Sequence, residues 1–292
     1  MAIPGSLVGL TVTDVVHDVD ERWTMAYAAS LDDRSPAYFD TTQAAGVVAH
    51  PVFVVCPEWE AIVASRSATR DHGVTPAEVL TSVHATHDTT IHRLIRPGDR
   101  LTTSLEIVGL EQISPGAKSS MRLTTTDVNG EPVATTTQDG IYLGQQCRDG
   151  DQPDPSPPEP LVADRKGEPT SIPVSIPAGA AHTYTECARI WNPIHTDKAV
   201  AVASGLPDII LHGTATLAHG VSAVVAASAE GQPERVRRIR GRFAAMVEMP
   251  STVTVNVWPS CAADDRLVVP FEVLNEQGKA AVKDGAVVLS LA

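Results

Sequence analysis

Residues 184–217, YTECARIWNPIHTDKAVAVASGLPDIILHGTATL, decide the fold. The Asn192-Pro193 pair predicts a turn, because proline fixes its own φ and keeps the preceding residue out of the helical region. From Gly213 onward the sequence is small or apolar on every side, which is typical of an enclosed helix. The free N–H groups at such a buried helix start can bind a carbonyl oxygen. Gly213 would let that ligand approach the backbone closely.

This stretch resembles the hydratase motif of the MaoC-like, R-specific enoyl-CoA hydratase family. The motif reads roughly Tyr-x5-Asp-x-Asn-Pro-x-His, followed by an Ile-Leu-His-Gly helix start. The matching positions are Tyr184, Asn192, Pro193, His195, Ile210, Leu211, His212 and Gly213. Ile190 departs from the pattern, because it stands where the family has its catalytic Asp. The resemblance implies the hot-dog fold, and two-repeat members form a pseudo-dimer whose two sheets join edge to edge.

Composition sets the class of protein. The chain has 292 residues, enough for two domains, with 43% hydrophobic and 20% charged residues, which is globular. A formal charge of −13 argues against nucleic-acid binding, which needs basic surface. The four cysteines are widely spaced, which predicts neither a disulfide scaffold nor a zinc site. With no basic leader and no apolar run long enough to span a bilayer, we expect no membrane association and a cytoplasmic location.

A proline-rich acidic run divides the chain near its midpoint. It predicts an extended linker over residues 149–170 that cannot pack. The flanking units, 1–148 and 171–292, are predicted to be two hot-dog repeats, of which the first carries a degenerate motif. Residues 27–40 align without a gap on residues 184–197, with Tyr, Pro and the final Asp coinciding.

Each half continues in the same way. A hydrophobic helix, Val52–Ser65 or Thr214–Ala229, is followed by alternating strands with a hairpin turn at Asn129-Gly130 or Gln277-Gly278. The predicted fold class is therefore α+β, a double hot-dog in which each antiparallel sheet wraps its own helix.

The resemblance also implies residue roles. It makes His195 the acid/base and the Gly213 amide the donor to the thioester oxygen, while Asn192 orients the loop or binds water. The substrate-binding positions predicted with them are Tyr184, Ile190, Trp191, His212, Arg240 and Arg242. The substrate would be an acyl-CoA or an acyl-carrier thioester. No cofactor or metal is expected beyond the CoA of the substrate, and a homodimer of double hot-dog chains is a possible assembly.

Ile190 leaves three functions open. The first is a hydratase or dehydratase, a hydro-lyase acting at the 2,3 double bond of an enoyl thioester. The second is a non-catalytic or altered-chemistry protein that binds an acyl thioester or another hydrophobic ligand. The third is thioester hydrolysis, which needs a carboxylate near Gly213. The alignment places Asp33 of the first repeat at the position of Ile190, but we expect it to belong to a separate, solvated loop. Asp197 is expected to cap the helix Lys198–Ser204.

Two further clusters stand out. Residues 235–242 hold five arginines, which fit either CoA phosphates or a charge-protected edge strand. His84, His87 and His92 share one predicted strand. Strand alternation predicts His84 and His92 on one face and His87 on the other, which argues against a metal cluster.

Overall fold

The computed structural model describes residues 2–263 and 265–291. In this part of the chain the strands are Ala2–Ile3 (β1), Thr11–Asp18 (β2), Ser82–Ile91 (β3), Arg100–Ile113 (β4), Gly116–Thr126 (β5), Pro132–Leu143 (β6), Gln146–Cys147 (β7), Thr170–Ile176 (β8), Val236–Phe243 (β9), Ser251–Val257 (β10), Cys261–Ala263 (β11), Arg266–Leu274 (β12) and Ala280–Ser290 (β13). The helices are Glu21–Ser30 (α1), Pro36–Phe39 (α2), Val55–Asp71 (α3), Pro76–Val79 (α4), Ala180–Ala188 (α5), Lys198–Ala203 (α6) and Gly213–Ser228 (α7). Short 3₁₀ turns cover Gly5–Leu7, Pro51–Val54, Pro193–His195 and Pro233–Arg235.

One antiparallel sheet runs through both halves in the order β2-β4-β5-β6-β3-β9-β13-β12-β10-β8. The order is symmetric about the β3–β9 pair, where Thr86–Thr90 lies opposite Arg242–Arg238. Strands β2, β4, β5, β6 and β3 of the first half thus correspond to β8, β10, β12, β13 and β9 of the second. The predicted α+β architecture and the joining of the two sheets edge to edge are confirmed.

The two long helices lie against this sheet. Most residues of α7 are buried, and Gly220 packs against the ring of Phe271 with no room for a side chain. The predicted enclosed helix is thus confirmed within one residue at each end. In the first repeat the predicted helix Val52–Ser65 is a 3₁₀ turn followed by α3. Across the described ranges, no helix combines the length and the apolar character needed to cross a membrane.

The helices α1 and α5 bring the two repeats together at their aligned tyrosines. Asp20 caps α1 by accepting from the Trp23 amide at 2.8 Å. The hydroxyl of Tyr27 in α1 lies 3.3 Å from the hydroxyl of Tyr184 in α5, and both side chains are fully buried. Equivalent residues of the duplicated sequence therefore meet at the pseudo-symmetry axis.

The proline-rich run does pack, so the prediction that it cannot is wrong. The backbone of Gln152 pairs with that of Leu110 in both directions, at 2.7 and 2.8 Å. Further along, the Arg238 guanidinium donates to the Glu159 carbonyl at 2.7 Å, and Leu161 packs against buried residues of β12 and β13. Arginine donors and backbone pairing replace the water that these carbonyls would otherwise need. The boundaries of the two repeats and the linker stay predictions.

Candidate active site

The end of helix α5 and the turn that follows it place the first candidate residues. Helix α5 ends at Ala188, and the left-handed φ of 59° at the following Arg189 turns the chain so that Ile190 is buried. Asn192 then precedes the 3₁₀ turn Pro193–His195, and its carbonyl accepts from the His195 amide at 3.1 Å. Proline suits the first position of such a turn because it has no N–H to satisfy. The turn therefore presents Asn192 and His195 together.

His195 is held in one tautomer by its backbone partner. Its Nδ1 donates to the Ile210 carbonyl at 2.8 Å, because a carbonyl oxygen can only accept. The Nε2 atom therefore keeps its lone pair. Burial lowers the pKa of His195 to about 4, and the bond to Ile210 offsets only part of that shift. The ring is neutral near pH 7 and able to accept a proton at Nε2.

His212 lies directly against His195. The two rings stack with centroids 3.7 Å apart and an interplanar angle of 27°. The Nε2 atom of His212 lies 3.2 Å from the Thr185 hydroxyl. Burial, and then the neighbouring His195, hold the pKa of His212 well below its usual range. His212 is thus a neutral ring that fixes the plane of His195.

The start of α7 forms the opposite wall. The first amides of α7 have no intrahelical partner, as at the start of any helix. His212, which precedes the helix, provides no side-chain cap for them. A Cβ on Gly213 would lie 3.1 Å from the Phe243 ring, which makes glycine the residue that fits there. Behind it, the Tyr184 hydroxyl donates to the Thr214 hydroxyl at 3.0 Å. Tyr184 therefore supports the helix start and does not line the cavity.

A cavity of about 400 Å³ connects these groups. Its wall at this end is formed by Ile190, Asn192, His195, His212, Gly213 and Thr214. The structure therefore brings together five of the residues singled out in the sequence. The cavity also extends past Phe243 into the first repeat, where Val55 and Trp59 of α3 line it.

The nearby carboxylates are engaged elsewhere. The Asp197 side chain accepts from the Ala199 and Val200 amides, so its predicted capping of α6 is confirmed. Asp208 pairs with Lys198 at 2.7 Å. Glu186 lines a separate small pocket together with Trp191, which is 55% exposed. Within residues 2–263 and 265–291, Glu58 of α3 is the only carboxyl in the main cavity wall.

The arginines of β9 lie outside the main cavity wall. Arg240 donates to the Leu161 carbonyl at 3.3 Å, and Arg242 pairs with Asp284 at 3.0 Å. Because β9 lies between β3 and β13, the interpretation of residues 235–242 as an edge strand is wrong. Binding of CoA phosphates by Arg240 and Arg242 stays a prediction.

Sequence reasoning missed the residues of the first repeat that line the cavity. The pairing of β3 with β6 shifts register between His84 and Thr86. His84 and His87 therefore both line the cavity, with rings 5.5 Å apart, and the prediction that they lie on opposite faces is wrong. The sequence did contain a signal for Glu58, because a carboxyl within an apolar helical run is a candidate site residue.

Comparisons with known proteins find a match for each half of the chain. Residues 163–278 match the MaoC like domain family, and residues 6–136 match the FAS1-like dehydratase domain region. An enoyl-CoA hydratase of Mycobacterium tuberculosis, ChsH3, is 32% identical over 164 residues, which are 53% of this chain and 53% of that protein. The chain thus spans about half the length of this relative.

Solved structures resemble the fold over nearly the whole chain. A MaoC-like dehydratase from Phytophthora capsici superposes with a TM-score of 0.82 at 18% identity, covering 97% of this chain and 96% of that one. A conserved hypothetical protein of Mycobacterium tuberculosis with a double hot-dog fold superposes with a TM-score of 0.63 at 16% identity, covering 97% and 96%. The chain is a double hot-dog protein. Its residues 163–278 match the MaoC like domain family, and the resemblance to that family predicted from its sequence is confirmed.

Proposed function

We propose that this protein is an acyl-thioester hydro-lyase, which adds or removes water at the 2,3 double bond of an enoyl-CoA or enoyl-carrier thioester. The observation that carries the proposal is the pairing of an uncharged imidazole with an uncapped helix start across one cavity. The name of the Mycobacterium tuberculosis relative supports CoA as the thiol.

In the hydration direction, the thioester oxygen lies against the Gly213 amide. His195 Nε2 takes a proton from water as the water oxygen bonds to Cβ and the Cα=Cβ π pair moves toward the carbonyl. The amide and the positive end of α7 stabilise the enolate oxygen that develops. The imidazolium then returns a proton to Cα, which yields a 3-hydroxyacyl thioester and restores neutral His195. The Asn192 side chain orients the attacking water.

Ile190 gives this mechanism a single acid/base group. An isoleucine neither binds water nor carries a proton, and loss of one general acid or base typically lowers a rate by about 10²–10⁴. We therefore expect slow turnover compared with an enzyme that keeps the pair. Thioester hydrolysis is the weaker candidate, because Glu58, the one carboxyl that the described residues contribute to the cavity wall, lies on the first repeat.

Ile190 also favours a second candidate function, the binding of an acyl thioester without turnover. Ile190 is 5% exposed and makes the cavity wall beside His195 apolar, which suits a bound hydrocarbon as well as a reacting one. Under this alternative the Gly213 amide would bind the thioester carbonyl, and His195 would only line the cavity beside it.

The decisive assay follows hydration of trans-2-enoyl-CoA substrates by the purified chain, with chiral analysis of the product. We expect an R-3-hydroxyacyl thioester, and loss of turnover by about 10²–10⁴ in His195→Ala. His92→Ala is the matched control, because His92 is an exposed histidine directly after β3 whose ring lies 3.2 Å from the Thr135 hydroxyl and outside the main cavity wall. Equal turnover in wild type and His195→Ala would exclude the assigned role. Tight binding of enoyl-CoA without product would favour the binding alternative.

A further inference from the structure

The cavity wall changes character where it enters the first repeat. Beside α3, apolar residues such as Val55, Trp59 and Ile62 are joined by polar side chains from four elements, which we call the first-repeat pocket: Glu58, His84, His87, Ser119 and Gln138. Glu58 is 1% exposed and His87 is also 1% exposed. A wall built only for a hydrocarbon tail would be apolar, because a buried polar group without a partner destabilises the folded state.

Within the described residues, two buried polar atoms of the first-repeat pocket have no hydrogen-bond partner. The Thr89 hydroxyl lies 2.9 Å from the Thr136 hydroxyl and 2.9 Å from His87 Nε2, so this side of His87 is satisfied. Among the residues that the structure describes, neither His87 Nδ1 nor Glu58 Oε1 has a hydrogen-bond partner. The first belongs to strand β3 and the second to helix α3, and both residues line the cavity.

The pocket is close to uncharged. Burial raises the pKa of Glu58 to about 8, and lowers the pKa of His84 to about 4 and of His87 to about 3. Near pH 7 the three side chains are a carboxylic acid and two neutral imidazoles. Such a set offers donors and acceptors to a neutral oxygen, and no counter-charge to an ion. Arg66 also lines the cavity, but its guanidinium stacks over the Trp59 ring at 4.9 Å.

We propose that the first-repeat pocket binds a hydroxyl or keto oxygen carried on the acyl chain, with Glu58 and His87 as its hydrogen-bond partners. The substrate class would then be an enoyl thioester oxygenated away from the reacting 2,3 bond. The inference rests on the proposed function, since it takes the acyl group bound at His195 as the occupant of the rest of the cavity.

Saturated acyl-CoA esters test the inference separately from catalysis, because they bind without reacting. Calorimetry would compare plain esters with esters that carry a terminal hydroxyl or keto group, over a series of chain lengths. At one length we expect the oxygenated ester to bind at least about tenfold more tightly. Plain esters that bind as tightly at every length would overturn the proposal. A third series, esters with a terminal carboxylate, would overturn it by binding most strongly, because recognition would then belong to Arg66. No binding of any ester would also overturn it.

Variants at Glu58 identify the partner. Glu58→Leu should reduce the preference for the oxygenated ester to about onefold, while Glu58→Gln, which keeps a donor and an acceptor, should retain most of it. Glu60→Gln is the control, because Glu60 lies on the same helix with its side chain 59% exposed. A preference that survives in Glu58→Leu would count against the assignment. Turnover of a four-carbon enoyl-CoA by wild type reports the proposed function alone, so failure of one claim is distinguishable from failure of the other.

Discussion

The two repeats begin their central helices in opposite ways. In the second repeat Gly213 opens α7 with free amides, and His212 contributes no cap. In the first repeat Pro51 has no N–H, and His50 Nδ1 accepts from the Val52 amide at 3.1 Å. The ring of His50 therefore occupies the place where a substrate oxygen would bind.

The residues facing these helix starts differ in the same sense. His195 has a backbone partner and a free Nε2 at a cavity, whereas its counterpart Tyr38 is fully buried. Asp33, which aligns with Ile190, accepts from the Ser35 amide and so stabilises its own turn. One copy of the duplicated turn is therefore built into the structure, and the other is left accessible to a ligand. The carboxylate thus stands in the copy whose turn lies outside the main cavity wall.

The largest expected effect comes from moving that carboxylate. Ile190→Asp places an acid beside His195, and we expect hydration to rise by about 10²–10⁴ if the reacting geometry is intact. The measurement is kcat for enoyl-CoA hydration. Ile190→Asn is the control, because it brings polarity without a proton to exchange. A similar rise in both variants would mean that wall polarity, and not acid/base chemistry, limits the rate.

The next effect comes from giving α7 the helix start of the first repeat. Gly213→Pro removes the proposed oxyanion donor, and loss of such a donor typically lowers kcat by about 10²–10³. Proline is tolerated at a first helical position, so α7 should still form. Gly213→Ala adds the same contact with Phe243 but keeps the N–H, and it should cost distinctly less. Equal losses in the two variants would assign the defect to crowding.

We expect a smaller effect from the difference between the inner faces of α3 and α7. Glu58 of α3 corresponds to Gly220 of α7, each seven residues after the equivalent helix start. Burial raises the pKa of Glu58 from its ordinary value of 4.5 to about 8 in the folded state. Between these values the unfolded chain loses the proton first, so the free energy of unfolding falls as pH rises from about 4.5 to about 8.

Glu58→Gln removes this titration. The variant should gain stability relative to wild type across that pH window and show no further gain above it. Urea denaturation at several pH values measures the difference. A difference that stays constant with pH would show that Glu58 is not buried as a neutral acid.

Much of the fold follows from local sequence, and the exceptions have physical causes. The alternating strands that the sequence predicts after each long helix are present, as β3 to β6 in the first repeat and as β9, β10, β12 and β13 in the second. Strand β2 is not predicted, because a register shift beside Asp14, with φ of 62°, interrupts its alternation. Strand β8 was also missed, since Pro173 argues against a strand except at a sheet edge, and β8 is an edge strand.

The site also has one part that the sequence predicts and one part that it does not. His195, Asn192 and Gly213 come from one continuous motif, so the sequence was enough to predict that they lie together. Glu58 and His87 are far from that motif, and they reach the cavity only through the pairing of β3 with β9 and a bulge in β3. Such tertiary relations leave no periodic signal along the chain.

The pH dependence of kcat/KM for enoyl-CoA hydration tests the central claim most directly, because it reports the ionisation of the base in the free enzyme. His195 must be neutral to accept a proton, so activity is retained above its pKa and lost as pH falls through that value. With the ring buried at the cavity, the acid limb should lie at about pH 4. A limb near the ordinary histidine value of 6.5, or the same limb persisting in the residual activity of His195→Ala, would contradict the account.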